Sequence, residues 1–497
     1  MKILKGTTLF ALPLLLVACG NDDLDTISIQ APDVYEFTSL LDPSAISSVD
    51  YKEATTQLIL INELDHFIAS DALQVGNSKE DALSKMNSLY KSGTQTFAIN
   101  NLLTSDIYST ENKATELHGL TLDSNIEQAN FSQLAGDINL QNNMAGIAQD
   151  LNLRDDEDES GLLGNFIGWF MLHIDIEDID NNLIGDGTSD GDDHPNALIQ
   201  HWITKIAELA SDSDDTTNYI YGSSNYRQLL HTFLLGSVAY SQAANLHLNA
   251  DIGLLMQNST AHNLQAYTDG TTDQLTPYTS LEHNWDMAFG YFGAARDYNN
   301  YTDEHIISQP DNDSNGDEQI NVYSEINFTF AINATERDAS APLMDISFSE
   351  QIMQAFLNGR QIIQDNFGQN PIKGSGYHQQ LLEQSRIILT VWDRIIAATI
   401  IHQINVTAVQ VSLIEKDDYD HLQYIEDWAK LKSLSMALQF NPLKALNIDE
   451  ITTLHQHIHS SPKTKRTDVS PYLKALGAAR ALMQNQYNFS DRNTSEW

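Results

Sequence analysis

Apolar residues recur at three- and four-residue spacing through most of the chain beyond Tyr51. Leu58, Ile61, Leu64 and Ile68 fall on one face with polar residues between them, which predicts a helix starting near Tyr51. A second short helix is predicted over 79–91, with Ser78 as its N-cap. Pro195 suits the first position of a helix running to about Ala210. Residues 226–248 are apolar nearly all round, the pattern of a helix buried on several sides. Gly236, Ser237, Ala239, Ala243 and Ala244 in that segment allow neighbours to approach closely. Residues 379–411 have the same character. Their Ile and Val content lowers helix propensity, but their length and lack of turn residues outweigh it. Further helices are expected at 350–365, 422–440, 449–459 and 472–487. No fixed-period repeat and no run of alternating strands is present, so the expected class is all-α, a multi-helix bundle with long acidic loops at 155–159 and 175–193.

Composition narrows the function classes. The chain has 497 residues, 26 Lys+Arg, 68 Asp+Glu and a formal charge of −42. Such a balance argues against nucleic acid, whose phosphates need Lys and Arg. It equally disfavours a basic membrane-surface patch. A single cysteine excludes an intrachain disulfide framework, a Cys-based zinc site and an iron–sulfur cluster.

That cysteine sits at the end of an N-terminal segment. Lys2 and Lys5 precede a short apolar run ending Leu16-Val17-Ala18-Cys19, too short to span a bilayer as a mature helix. The segment resembles the bacterial lipobox, in which the cysteine is acylated and becomes the mature N-terminus. The resemblance implies a signal peptide over 1–18, an acylated tether over 19–34, and contact with the membrane through N-terminal lipid. Gly20 in place of Asp implies sorting to the outer membrane. Residues 35–497 are then one large helical domain, or two lobes split near 190.

Residues Thr279-Ser280-Leu281-Glu282-His283-Asn284-Trp285-Asp286-Met287-Ala288-Phe289-Gly290-Tyr291 resemble the hallmark segment of the bacterial domain-of-unknown-function family 4856. The blocks 229–248, Ala355-Phe356-Leu357-Asn358-Gly359-Arg360 and Ala437-Leu438-Gln439-Phe440-Asn441-Pro442 resemble others in the same order. Two positions depart: Met287 replaces a glutamate, and Glu53-Ala54-Thr55-Thr56-Gln57 lacks the family's arginine. The resemblance covers most of 35–445. It implies an exported or lipid-anchored, mainly helical protein and no particular chemistry.

On a helical wheel Trp285, Ala288, Phe289 and Phe292 share one face, which reads as core. His283, Asp286 and Gly290 lie opposite, with Glu282 at the border. An imidazole and carboxylates so placed can hold a transition metal, or Asp286 can simply orient His283 in a polar interface. A second candidate is Asp313-Ser314-Asn315-Gly316-Asp317, with Glu325 downstream. Asp313, Asn315, Asp317 and Glu325 follow an EF-hand-type order that suits Ca²⁺, with a solvated acidic loop as the alternative. Two departures stand against it: Glu318 occupies the usual glycine position, and Glu325 falls one place late. His455 and His459 would share a helix face at i,i+4, a spacing usable for Zn²⁺ or Cu²⁺, although a polar surface explains them too. His378 lies in a Gly-Tyr-His run that resembles the imelysin-like G-x-H-x-x-E motif without its glutamate. Arg360, Arg386, Asp393 and Arg394 read as buried ion pairs. No G-x-S-x-G, H-E-x-x-H or phosphate-binding glycine loop occurs.

The expectation is therefore an outer-membrane-anchored helical lipoprotein with a non-catalytic binding or accessory role, metal-related through its calcium loop or His283. Its protein partner or small ligand is not identified by the sequence. The alternatives are a metal-dependent hydrolase using His283, Asp286 and Glu282, and a purely structural interaction protein.

Overall fold

The structure is a computed structural model that describes residues 29–69, 73, 78–91, 168, 195–211, 219–263, 275–316, 320–341 and 346–497. Among the described residues the fold is all-α, with thirteen helices and two small two-stranded sheets. The first three helices are α1 (Lys52–Ala69), α2 (Lys79–Tyr90) and α3 (Pro195–Ser211). The Ser78 hydroxyl accepts from the Asp81 amide at the start of α2, and Pro195 opens α3, as their residue types dictate. The acidic segments at 155–159 and 175–193 and the proposed lobe boundary near 190 lie outside the described residues, as does Cys19.

α4 (Tyr226–Leu234) continues as two π-helical stretches, Leu235–Tyr240 and Ala243–His247. Ser237 donates to the Phe233 carbonyl and Ser241, between the two stretches, to the Ser237 carbonyl, so the side chains share in satisfying backbone acceptors. Small residues let α4 lie tight against α10 (His421–Ala437): a Cβ on Gly236 would fall 2.4 Å from the Ala437 Cβ. The Ser433 hydroxyl bonds the Leu229 carbonyl across the same contact.

Next come α5 (Ser280–Phe292), α6 (Asp303–Ser308), α7 (Thr329–Ala339), α8 (Phe348–Asp365) and α9 (Gly376–Leu413). α9 has 38 residues, about 57 Å of helix. It packs along α8, α10 and α12 (Arg466–Tyr487). Its length and hydropathy would suit a membrane span, but 72% of that window is buried within the protein, so the fold uses it as a core helix. The centre of the core is aromatic. Trp392 of α9 meets Phe292 of α5 and Tyr240 of the π-helical stretch, each at 5.2 Å between ring centroids. α11 (Ile448–Ile458) and α13 (Asp491–Glu496) complete the C-terminal part.

Two differences from the pattern-based expectation have physical causes. α12 begins at Arg466, ahead of the expected start, and carries Pro471 as its sixth residue, where the missing N–H forgoes one backbone hydrogen bond that the rest of the helix outweighs. The four short strands carry too few residues to show alternation. β1 (Ile220–Tyr221) pairs antiparallel with β2 (Ser224–Asn225). β3 (Ala261–Asn263) pairs antiparallel with β4 (Leu275–Thr279), with Ala261 opposite Thr279 and an irregularity before Asn263. β4 runs directly into α5, so this ribbon stands over the first turn of the hallmark helix.

The α4–α10 contact has a direct test. Gly236→Ala is expected to cost about 1–3 kcal/mol, because its Cβ meets Ala437. Gly477→Ala, in α12 with open space around its Cβ position, is expected to be neutral or to gain about 0.5–1 kcal/mol. Urea unfolding midpoints of the two variants check the contrast.

Candidate functional site

The hallmark helix α5 is fixed at both ends. Thr279 accepts from the Glu282 amide at 3.2 Å and Glu282 accepts from the Thr279 amide at 2.7 Å, a reciprocal capping box. Gly293 ends the helix at φ +81°, a left-handed conformation that favours glycine. Every side chain of α5 is buried except Ser280 and His283.

The buried polar side of α5 closes on Arg360 of α8. The Arg360 guanidinium is fully buried, its Nε donates to Asp286 at 3.0 Å, and its Nη1 pairs with Glu282 at 3.0 Å. Its Nη2 donates to the Ser48 hydroxyl at 2.7 Å. The segment before α1 is tied to the same group. Tyr35 donates to Asp286 at 2.8 Å and stacks on Phe289 at 3.8 Å, and the Asp50 amide donates to the other Asp286 oxygen at 3.2 Å. Phe37 lies under the guanidinium at 4.9 Å. Gly359, beside Arg360, makes room for the ring of Trp285, whose Nε1 donates to the Phe356 carbonyl. The hallmark and the Gly359-Arg360 block are thus two halves of one contact.

This arrangement separates the residues expected to act together on a metal. Asp286 and Glu282 turn toward Arg360. His283 turns to the surface, where its Nδ1 bonds the Asp50 carbonyl at 2.9 Å. The residues that His283 does meet come from elsewhere in the chain. His262 of β3 lies 5.2 Å away between ring centroids and bonds Ser280 through Nδ1 at 2.9 Å. Tyr278 of β4 stacks on His283 at 5.1 Å and donates to the Asp50 carboxylate at 2.9 Å. His262, His283, Ser280 and Asp50 are half-buried. Burial lowers both imidazoles, His262 to about 4 with the His283 charge adding to the effect, so both are neutral near pH 7. Asp50 and His262 carried no sequence signal, because one precedes α1 and the other stands on a three-residue strand.

The expected calcium loop is arranged around its own amides. Glu325 is buried, one carboxylate oxygen accepts from the Ser314 amide and hydroxyl and the Asn315 amide, and the other accepts from the Asn321 amide at 2.7 Å. Asp313 accepts from the Gly316 amide at 2.7 Å. Asp317 lies outside the described residues. Among the described residues no group of three or more His, Cys, Asp or Glu side chains is placed to hold a metal ion.

Other expectations are corrected. His455 and His459 do not share a helix face: α11 ends at Ile458, and His459 leaves it at φ +69°. His455 is buried, with its Nδ1 3.2 Å from the Lys432 ammonium. His378 is consumed by the start of α9, accepting from the Gly374 amide and bonding the Ala250 carbonyl. Of the four charged residues read as buried ion pairs, Arg360 alone forms one. Arg386 is exposed, Asp393 accepts from the Ala445 amide, and Arg394 donates to the Tyr487 carbonyl.

A family model described as Domain of unknown function (DUF4856) matches residues 205–370. The match holds α5, Arg360 and the 229–248 block, and is narrower than the 35–445 suggested by the sequence blocks. No curated protein and no solved structure matches.

One consequence of the buried charges is measurable. Burial pushes Asp286 up to about 7; Arg360 and the Tyr35 hydrogen bond oppose the shift, and Glu282 adds to it. The folded state therefore keeps a proton that the unfolded chain releases near pH 4, and this group's contribution to stability falls as pH rises from about 4 to 7. Denaturation of wild type and Asp286→Asn at pH 5 and pH 8 is expected to show the variant gaining relative to wild type at the higher pH. A constant difference would show that Asp286 ionises as it does in the unfolded chain.

Proposed function

We propose that this chain, a member of the DUF4856 family through residues 205–370, is a lipid-anchored protein of the outer membrane with a non-catalytic binding or accessory role. Its ligand contact is the face formed by His283, Ser280 and His262. The observation that carries the reading is the burial of the hallmark helix. Eleven of its thirteen residues are inside the protein, and the two that reach the surface, Ser280 and His283, both belong to the imidazole cluster. The hallmark carboxylates are committed to Arg360, Tyr35 and the helix cap, which leaves them poorly placed as the acid, base or metal ligands of a hydrolase.

The anchor is supported by Leu16-Val17-Ala18-Cys19. The strap, residues 29–51 ahead of α1, bonds the core through Tyr35, so an anchored Cys19 would hold the folded domain close to the membrane.

Fractionation tests the anchor. Wild type is expected in the detergent-extracted outer-membrane fraction and Cys19→Ala in the soluble one; a variant that stays with the membrane refutes acylation at Cys19. Native mass spectrometry of the protein purified from its own membrane tests the binding role. A co-purifying mass on wild type that is lost in His283→Gln supports it, and identical unliganded spectra for both count against it.

A further inference from the structure

We infer that the end of the bundle where α5 and α9 begin rests on the lipid leaflet that carries the Cys19 anchor, through the exposed side chains of Leu40, Ile46, Ile252 and Ile372; this rests on the anchoring proposed above. Ile46 and Ile372 are the two most exposed large apolar side chains among the described residues, at 96% and 71%, and Leu40 and Ile252 are each 46% exposed. Exposed aliphatic side chains scattered singly are ordinary, whereas several gathered at one end of a fold mark a contact surface.

Hydrogen bonds bring the four side chains together from three loops. The Ser39 hydroxyl donates to the Pro277 carbonyl in β4, and Gln364 in the last turn of α8 donates to the Thr38 carbonyl at 3.2 Å, so the strap turn that bears Leu40 and Ile46 lies beside the start of α5. The Ile252 loop is tied to the first turns of α5 by Asn284, whose Nδ2 donates to the Gly253 carbonyl at 3.1 Å. The Ile372 loop leads into α9 and joins the Ile252 loop through Lys373 and Asp251, paired at 2.7 Å, and through His378 on the Ala250 carbonyl at 2.9 Å. Lys373 and Asp251 offset each other's charge beside the two isoleucines. The strap turn is held before any contact. The Leu41 and Asp42 amides donate to the Ser39 hydroxyl, the Ser44 amide and hydroxyl to the Asp42 carboxylate, and the Ala45 amide to the Asp42 carbonyl. Little ordering is then left to oppose association. The occupant follows from the chain ahead of the strap. Ile29, the first described residue, follows Cys19 by ten residues, an extended reach of at most about 36 Å. An acylated Cys19 keeps its leaflet within that reach, and apolar side chains held so near a bilayer gain by leaving water for its interface. This contact is apolar and needs no basic patch, in keeping with the chain's charge of −42.

The test uses the lone thiol. Acylation blocks Cys19, so an introduced cysteine becomes the only one that takes a label. Ile46→Cys and Ile372→Cys report on this end. Val409→Cys is the control, 58% exposed and about 50 Å along α9 from its start. Each protein, purified with its anchor, carries an environment-sensitive fluorophore and is reconstituted into phosphatidylcholine vesicles, because anionic lipid would repel so acidic a chain. Labels at 46 and 372 are expected to brighten severalfold and to be quenched by nitroxide-bearing acyl chains, and the label at 409 to do neither. Circular dichroism establishes folding, and either reporter decides alone if the other variant fails to fold. Labels at 46 and 372 that stay unquenched while the protein co-sediments with the vesicles, or equal quenching at 409, overturn the contact and leave the anchor standing. Labels at 46 and 372 shielded from both the lipid quencher and soluble iodide assign this end to a protein neighbour and also overturn it. Wild type that takes label at Cys19 and does not co-sediment removes the anchor, and the contact with it.

Discussion

The Arg360 guanidinium is the group on which the arrangement depends. It is fully buried and cannot shed its charge, so the fold must surround it with acceptors. Removing a buried charge's partners costs roughly 3–5 kcal/mol, far more than an exposed pair is worth. Its partners come from two places distant in sequence, Asp286 and Glu282 on α5 and Ser48 in the strap, and from Gln364 one turn on along its own helix. Satisfying one arginine therefore fixes how α5, α8 and the segment before α1 sit together. Burial raises Asp286 against the pull of Arg360 and the Tyr35 hydrogen bond, and the second carboxylate on the same guanidinium, Glu282, adds to the rise.

The strap turns this internal contact into an external one. Asp50 sits between the two clusters: its amide donates to Asp286, its carbonyl accepts from His283, and its carboxylate accepts from Tyr278. His283 is thereby oriented by the same residue that closes the buried network. The imidazole face is pre-organised in this way, because His283 is held by a backbone carbonyl that the ion-pair network positions.

Helix periodicity located the main helices because each buries a stripe of apolar residues, and Ser78 and Pro195 marked true starts. The aromatic face of 282–292 was legible for the same reason. The polar face was legible as polar but not in its pairing. A wheel places His283 and Asp286 together, yet side-chain direction is settled by what lies across the interface, and Arg360 lies 74 residues away. Gly359 is comparable: its need to be glycine comes from Trp285 on another helix. The histidine pair at 455 and 459 failed because helix ends are poorly marked, and the last turn stopped one residue short.

The central claim is that the strap and the hallmark helix are joined through Asp286. A double-mutant cycle of Tyr35→Phe and Asp286→Asn in equilibrium unfolding tests it most directly. At pH 8, where Asp286 is charged, the account predicts a coupling energy of about 1.5–3 kcal/mol, the range for a hydrogen bond to a charged group. Additive single effects, within about 0.5 kcal/mol, would contradict it.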